Sequence, residues 1–274
     1  MANYIDLHNH ILPDIDDGPR TMKEAVMQAR SMASAGYSTV VATPHTIDGK
    51  PSPALIKQRV AEFQNELDKQ EIPLKILPGA EQFIEPDLMN RLRKGEIQTI
   101  NDSHYLLLEL PMTQRIPIYA EQLIFALAVN GYRPVIPHPE RVVELQRYPK
   151  LLYHLYKAGA IYQITWGALT GWLGPEAEET AHLMLKSNLA HLVSTDAHNA
   201  VTRLLAVEQS SAALEDILGP GSAEMMLHTR PATVIANETL DLPAAIDPTK
   251  LPRKKGTFLS RLIPGRKSRQ HKEN

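Results

Sequence analysis

The sequence predicts a single α/β domain in which seven strand–helix units close into a barrel. Seven short segments rich in β-branched or aliphatic residues read as buried strands, and helical spacing fills the intervals between them. Strands that alternate with helices indicate parallel βα units. The chain of 274 residues, 43% hydrophobic and 22% charged, is close to the length such a barrel requires. The alternative is an open doubly wound sheet. No Gly-rich phosphate loop follows any strand, which counts against it.

The expected strands cover residues 4–8, 39–43, 75–79, 105–110, 134–137, 161–165 and 191–195. Helical spacing covers 21–35, 54–70, 120–130, 149–158 and 175–187, with a last helix over 201–218. Gly36, Gly131 and Gly159 follow three of these at the position where helices commonly stop. The barrel domain is expected over 1–242. Beyond it Pro243, Pro248, Pro252 and Pro264 break the pattern, and 243–274 reads as a basic, flexible, solvated tail. Within that tail Phe258, Leu259, Leu262 and Ile263, flanked by basic residues, would suit weak contact with an acidic partner or an anionic membrane surface.

The chain has no cysteine, which excludes disulfides, Cys-ligated zinc and every mechanism with a thiolate nucleophile. Met1–His10 carries neither a basic nor an apolar leader region, and no apolar run is long enough to cross a bilayer, so a cytoplasmic protein is expected. Charge is uneven: residues 247–274 hold nine Lys or Arg against two acids, leaving 20 basic and 29 acidic residues elsewhere. An acidic body argues against nucleic acid as a partner and suits carboxylates gathered around cations.

Those carboxylates and imidazoles fall at strand ends. His8 and His10 close the first strand, His45 follows the second, Glu81 the third, Glu109 ends the fourth, His138 follows the fifth, and Asp196 and His198 follow the seventh. The intervals from His10 onward are 35, 36, 28, 29 and 58 residues; each of the first four spans one βα unit and the last spans two. All these residues therefore reach one mouth of the barrel, where such folds place their chemistry. Gathered carboxylates repel one another unless cations lie among them. Nitrogen and oxygen ligands without sulfur suit Mn, Fe or Zn, and eight ligands with an acid from Asp16-Asp17-Gly18 exceed the needs of one ion. Arg141 and Arg203, shortly after His138 and His198, are placed to bind phosphoryl oxygens through forked hydrogen bonds.

Taken together these residues resemble the PHP (polymerase-and-histidinol-phosphatase) superfamily, and within it the manganese-dependent tyrosine phosphatases of bacterial capsule and exopolysaccharide operons. The segments that carry the resemblance are 6–13, 16–18, 42–45, 79–81, 101–103, Glu109, 137–141 and 194–199, spread over about residues 4–240. The resemblance implies a PHP-type distorted (β/α)7 barrel with two or three Mn2+ ions. It implies one ion on His8, His10, Glu81 and Asp196, a second on Glu81, Glu109 and His138, and a third on Asp17, His45 and His198. Arg141 and Arg203 would hold the phosphoryl group. Arg203 is followed by Leu204-Leu205, where this family commonly has two prolines.

The expected reaction is hydrolysis of phosphotyrosine on a protein by direct attack of a metal-bridging hydroxide, without a covalent enzyme intermediate. The resemblance names the tyrosine-rich tail of a bacterial tyrosine kinase as the partner. The rivals are a small-molecule phosphatase such as histidinol-phosphate phosphatase, and a metal-binding regulator without turnover.

Overall fold

The computed structural model describes residues 3–200 and 207–251. Among the described residues nine strands appear, all paired in parallel: β1 (Tyr4–Asn9), β2 (Tyr37–Ala42), β3 (His45–Thr46), β4 (Lys75–Pro78), β5 (Glu81–Phe83), β6 (Tyr105–Glu109), β7 (Arg133–Pro137), β8 (Ile161–Thr165) and β9 (Leu192–Ser194). The count exceeds seven because two expected strands, 39–43 and 75–79, are each followed after a short break by a further strand, β3 and β5. Thr43-Pro44 separates β2 from β3, and Gly79-Ala80 separates β4 from β5. Pro44 has no N–H to continue a ladder. At the second break a Cβ on Gly79 would lie 2.6 Å from Val41 Cγ1, so only glycine lets the two strands approach there.

The breaks divide the ladder into a three-stranded sheet, β1-β2-β4, and a six-stranded sheet, β3-β5-β6-β7-β8-β9. The barrel closes between its last strand and its first. Asp196 N donates to His8 O at 3.0 Å, and His10 N donates to Ala197 O at 2.9 Å. Beneath this seam lies the buried Asp6 carboxylate, whose Oδ1 accepts from Thr195 N at 3.1 Å and whose Oδ2 accepts from Asn9 Nδ2 at 2.9 Å. Burial raises the Asp6 pKa, against the lowering effect of these hydrogen bonds.

Alternation along the strands sorts side chains into two apolar clusters. Ile5, Leu7, Val41, Leu77, Tyr105, Leu107, Val135, Ile161 and Leu192 form one, with at least one residue from each of β1, β2, β4, β6, β7, β8 and β9. Their sequence neighbours Val40, Ile76, Leu106, Ile136, Tyr162 and Val193 join the other, which includes the helices. This is the period-two pattern of strands with an inside and an outside.

Among the described residues the longer helices are α1 (Met22–Ser34), α2 (Pro53–Lys69), α4 (Ala120–Val129), α6 (Lys150–Ala158), α7 (Pro175–Lys186) and α8 (Val207–Leu218); shorter ones include α3 (Leu88–Arg93) and α5 (Val143–Arg147). Each long helix has a local cause. The Thr21 hydroxyl caps α1 by accepting from Glu24 N, and α1 buries Ala25, Ala29 and Met32 on one stripe. Ser52 caps α2 in the same way, Pro53 starts it, and Ile56, Val60, Phe63 and Leu67 face the core. The six helical patterns read from the sequence are present, within a residue or two at the ends that are described; the start of the last, 201–206, lies outside the described residues.

Residues 243–251, just past the expected domain boundary, lie against the barrel. Ile246 N donates to Ser187 O at 2.8 Å, Asn188 Nδ2 donates to Ala244 O at 3.0 Å, and Pro248 is buried. Phe258, Leu259, Leu262 and Ile263 fall outside the described residues. No helix among the described residues is long and apolar enough to cross a membrane.

At the opposite end from the strand C-termini, His191 precedes β9. It is fully buried, and its Nδ1 accepts from Tyr162 N at 2.9 Å. Burial, helped by the positive Arg230, pushes its pKa down to about 3. The folded chain keeps this ring neutral where the unfolded chain, with an ordinary value of 6.5, takes up a proton. The stability tied to the neutral ring is thus full above pH 6.5 and is lost as pH falls toward 3, with a slope of up to about 1.4 kcal/mol per pH unit. Urea unfolding between pH 4 and 7 should show a shallower pH slope for His191→Asn than for the wild type; equal slopes would contradict it.

Candidate metal centre

The ends of β1, β3, β5, β6, β7 and β9 bring their imidazoles and carboxylates to one point. Glu81, the first residue of β5, is at its middle and is 1% exposed. Its Oε2 stands 3.2 Å from His8 Nε2, 3.3 Å from His10 Nε2 and 3.0 Å from His45 Nδ1, and its Oε1 stands 2.8 Å from His138 Nε2. Asp196 Oδ1 lies 3.5 Å from His8 Nε2 and 3.6 Å from His10 Nε2. Glu109 Oε2 lies 3.7 Å from His45 Nδ1. On the outer side, Asp17 Oδ1 stands 3.3 Å from His198 Nε2 and 3.6 Å from His45 Nε2.

Three overlapping groups have one ligand atom per residue, all within 4.8 Å of one another: His8, His10 and Glu81; His45, Glu81 and Glu109; and His10, Asp17, His45 and His198. Atoms about 2.0–2.2 Å from a shared cation lie no more than about 4.4 Å apart, and the 3.0, 3.2 and 3.3 Å separations around Glu81 Oε2 fall within that reach. Glu81 Oε2 is the sharpest test of fit. It is buried and accepts no well-directed hydrogen bond, although three ring nitrogens surround it. A buried carboxylate oxygen without a donor is costly; a divalent cation among those nitrogens would satisfy it. The donor set fits one or more metal ions.

The structure brings His8, His10, Glu81 and Asp196 together. His45 has its Nε2 toward Asp17 and its Nδ1 toward Glu81 and Glu109. It thus stands between two groups rather than in one. In the sequence Asp17 is preferred to Asp16 as a ligand because it directly precedes Gly18, and the structure gives the two carboxylates separate places. Asp16 turns inward, its Oδ2 2.7 Å from His10 Nδ1, while Asp17 has a 64% exposed side chain and faces His45 and His198. Gly18 holds this turn closed, since a Cβ there would lie 2.5 Å from His10 O. Arg141 lies at the mouth, with Nη1 donating to Asp196 Oδ2 at 2.7 Å. Arg203 lies outside the described residues.

Two of the clustered residues have left-handed backbones: His138 at φ 35° and Asp196 at φ 50°. Such conformations are uncommon for residues with a Cβ and turn the side chain where a continuing strand would not.

Electrostatics in the protein alone are strongly coupled. Burial works against a charge on His10, but the Asp16 hydrogen bond and the Glu81 carboxylate outweigh it and lift its pKa to about 10. Burial would raise Glu81, yet the surrounding His8, His10, His138 and His45 hold it well below the usual carboxylate range. Glu109 is raised to about 7 by burial and by repulsion from Glu81. His198 is lowered to about 4 by burial and by the positive His10. Ligation needs the deprotonated forms, so metal binding would release protons from groups held high, such as His10 and Glu109.

Comparison with known proteins agrees with this geometry. The sequence model of the family described as "Capsular polysaccharide synthesis, CpsB/CapC" matches residues 4–236. Tyrosine-protein phosphatase YwqE of Bacillus subtilis is 37% identical over 238 residues, covering 86% of this chain and 93% of that protein. Tyrosine-protein phosphatase CpsB of Streptococcus pneumoniae is 28% identical, covering 86% of this chain and all of that one. A crystal structure from the work on YwqE and CpsB, described there as unique metal-dependent tyrosine phosphatases, superposes with a TM-score of 0.85 at 35% identity, covering 91% of this chain and 100% of that chain. The distorted PHP-type barrel expected from the sequence is therefore the fold observed, and the chain belongs to the CpsB/CapC family.

Proposed function

We propose that the chain is a metal-dependent phosphohydrolase that removes phosphate from phosphotyrosine of a protein, with Mn2+ at two or three positions. The observation that carries this reading is Glu81, a buried carboxylate encircled by the imidazoles of His8, His10, His45 and His138. The ligands are assigned as His8, His10, Glu81 and Asp196 for one ion, Glu81, Glu109 and His138 for a second, and Asp17, His45 and His198 for a third, with His45 placed to serve the second as well. The substrate class rests on the kinship with YwqE and CpsB, both of which are named tyrosine-protein phosphatases. A bacterial tyrosine kinase in the cytoplasm is the partner this reading favours.

Bound divalent ions supply Lewis acidity and lower the pKa of water toward neutrality. The chain itself supplies position. Glu81 faces the ligands of two groups at once and so fixes their separation. Arg141, held by Asp196 at the rim with its side chain 23% exposed, offers a guanidinium to phosphoryl oxygens as charge builds on them. Arg203 is assigned the same role. With no cysteine in the chain, no cysteinyl-phosphate forms. The leaving phenolate of tyrosine, with a pKa of about 10, needs less help from an acid than an alkoxide would.

The test is phosphate release from a phosphotyrosine peptide, a phosphoserine peptide and histidinol phosphate, each with Mn2+ added or chelated. Metal-dependent release is expected, with kcat/KM for phosphotyrosine at least about tenfold above the others, a difference of roughly 1.4 kcal/mol. Preference for histidinol phosphate would keep the metal centre and overturn the substrate. Metal binding without release from any of the three would overturn the enzymatic reading in favour of a regulator.

A further inference from the structure

β8 ends without a His, Asp or Glu, and it passes directly beside the centre. Its alternation puts Ile161 in the inner apolar cluster, and Gln163 is the next residue on that side. Gln163 is fully buried, and its amide lies 3.0 Å from His8 Nδ1. The far end of the amide, Oε1 in this orientation, is buried with no hydrogen-bond partner, so nothing there holds the group one way round. A half-turn about the terminal side-chain bond exchanges the two ends and leaves the rest of the residue in place.

The orientation matters to His8. With the amide nitrogen toward Nδ1, a neutral His8 carries its proton on Nε2. That proton would enter the space shared with His10 Nε2 at 3.2 Å, Glu81 Oε2 at 3.2 Å and Asp196 Oδ1 at 3.5 Å. With the amide oxygen toward Nδ1, the proton sits on Nδ1 and the Nε2 lone pair faces that space. Two neighbouring imidazoles show the second arrangement. His10 Nδ1 is held by Asp16 Oδ2 at 2.7 Å and His198 Nδ1 by Asp196 O at 2.9 Å, both acceptors, while each Nε2 points into the cluster. An acceptor on the remote nitrogen fixes tautomer and ring orientation in a ligating histidine.

We propose that Gln163 is the positioning residue for His8: its Oε1 accepts the Nδ1 proton and so directs the Nε2 lone pair at the ion shared with His10, Glu81 and Asp196. The inference rests on the metal assignment above.

The test is Mn2+ binding by calorimetry to wild type, Gln163→Leu and Gln163→Glu. Glu keeps the acceptor and removes the donor; Leu removes both. Gln163→Leu should bind its weakest-held ion of the His8 group about 10- to 100-fold less tightly, and Gln163→Glu should restore wild-type affinity or exceed it. Wild-type affinity in Gln163→Leu, or equal loss in both variants, would overturn the proposal. Ring nitrogen NMR of the wild-type protein loaded with diamagnetic Zn2+ gives a reading that needs no variant: the His8 proton is expected on Nδ1, and a proton on Nε2 would overturn it. If wild type binds no cation at all, the metal assignment fails with it; loss confined to the Gln163 comparison leaves that assignment standing.

Discussion

Replacing Glu81 by Gln should reduce kcat/KM for a phosphotyrosine peptide by at least about 1000-fold, or roughly 4 kcal/mol of transition-state stabilisation. The substitution keeps size and shape, so packing changes little. It removes the negative charge that four imidazoles surround, and it puts an amide N–H2 where ring nitrogens or cations must be met. Every group in the cluster touches this residue or touches something that does, so the loss should not be confined to one ion. Stoichiometry of bound Mn2+, measured beside activity, should fall by more than one equivalent. Retention of full stoichiometry with near-normal turnover would sink the assignment.

Removing the metal should abolish turnover reversibly and lower thermal stability. An ion that binds only the folded chain at 1000 times its dissociation constant stabilises it by about 4 kcal/mol. In a domain of this size that corresponds to a rise of the order of 10 °C in Tm. The apo protein should therefore melt well below the Mn2+-loaded protein, and re-addition of Mn2+ should restore both activity and Tm. Equal melting temperatures with and without excess chelator would contradict a centre built from six barrel strands. Activity that survives chelation, with metal content verified as zero, would contradict the reaction.

The fold was legible because the βα rhythm is regular and each strand is bounded by its own stop signals. The expected strands stop near the breaks at Thr43-Pro44 and Gly79-Ala80, but the two- and three-residue strands β3 and β5 beyond them are too short to show a period in the sequence. The clustered residues were legible for a similar reason: strand ends one unit apart reach the same mouth. What the sequence could not give was the difference between neighbours. Asp17 is preferred to Asp16 in the sequence only for its place before Gly18; that Asp16 meets His10 while Asp17 faces His45 and His198 depends on the folded turn. His45 reaches two groups because β3 is two residues long and separated from β2, which is a tertiary fact. Gln163 was passed over because an amide in a strand looks like any other polar residue; the signal was its place as the one long polar side chain in the strand 161–165, on a unit that the ligand spacing skipped.

The seam of the barrel gives the centre a mechanical role as well. β1 and β9 meet through backbone bonds at His8, His10, Asp196 and Ala197, and three of those four residues also face the cluster. The join is short, so it is the place where the cylinder would part first. His8 and His10 on one edge and Asp196 on the other would hold an ion as a clasp across the join, so that loosening the clasp and opening the wall would be one event. Amide hydrogens of His10 and Asp196 should then exchange with solvent on a clock set by metal release, while those of β6 and β7, on the far wall, keep the slower clock of the whole fold.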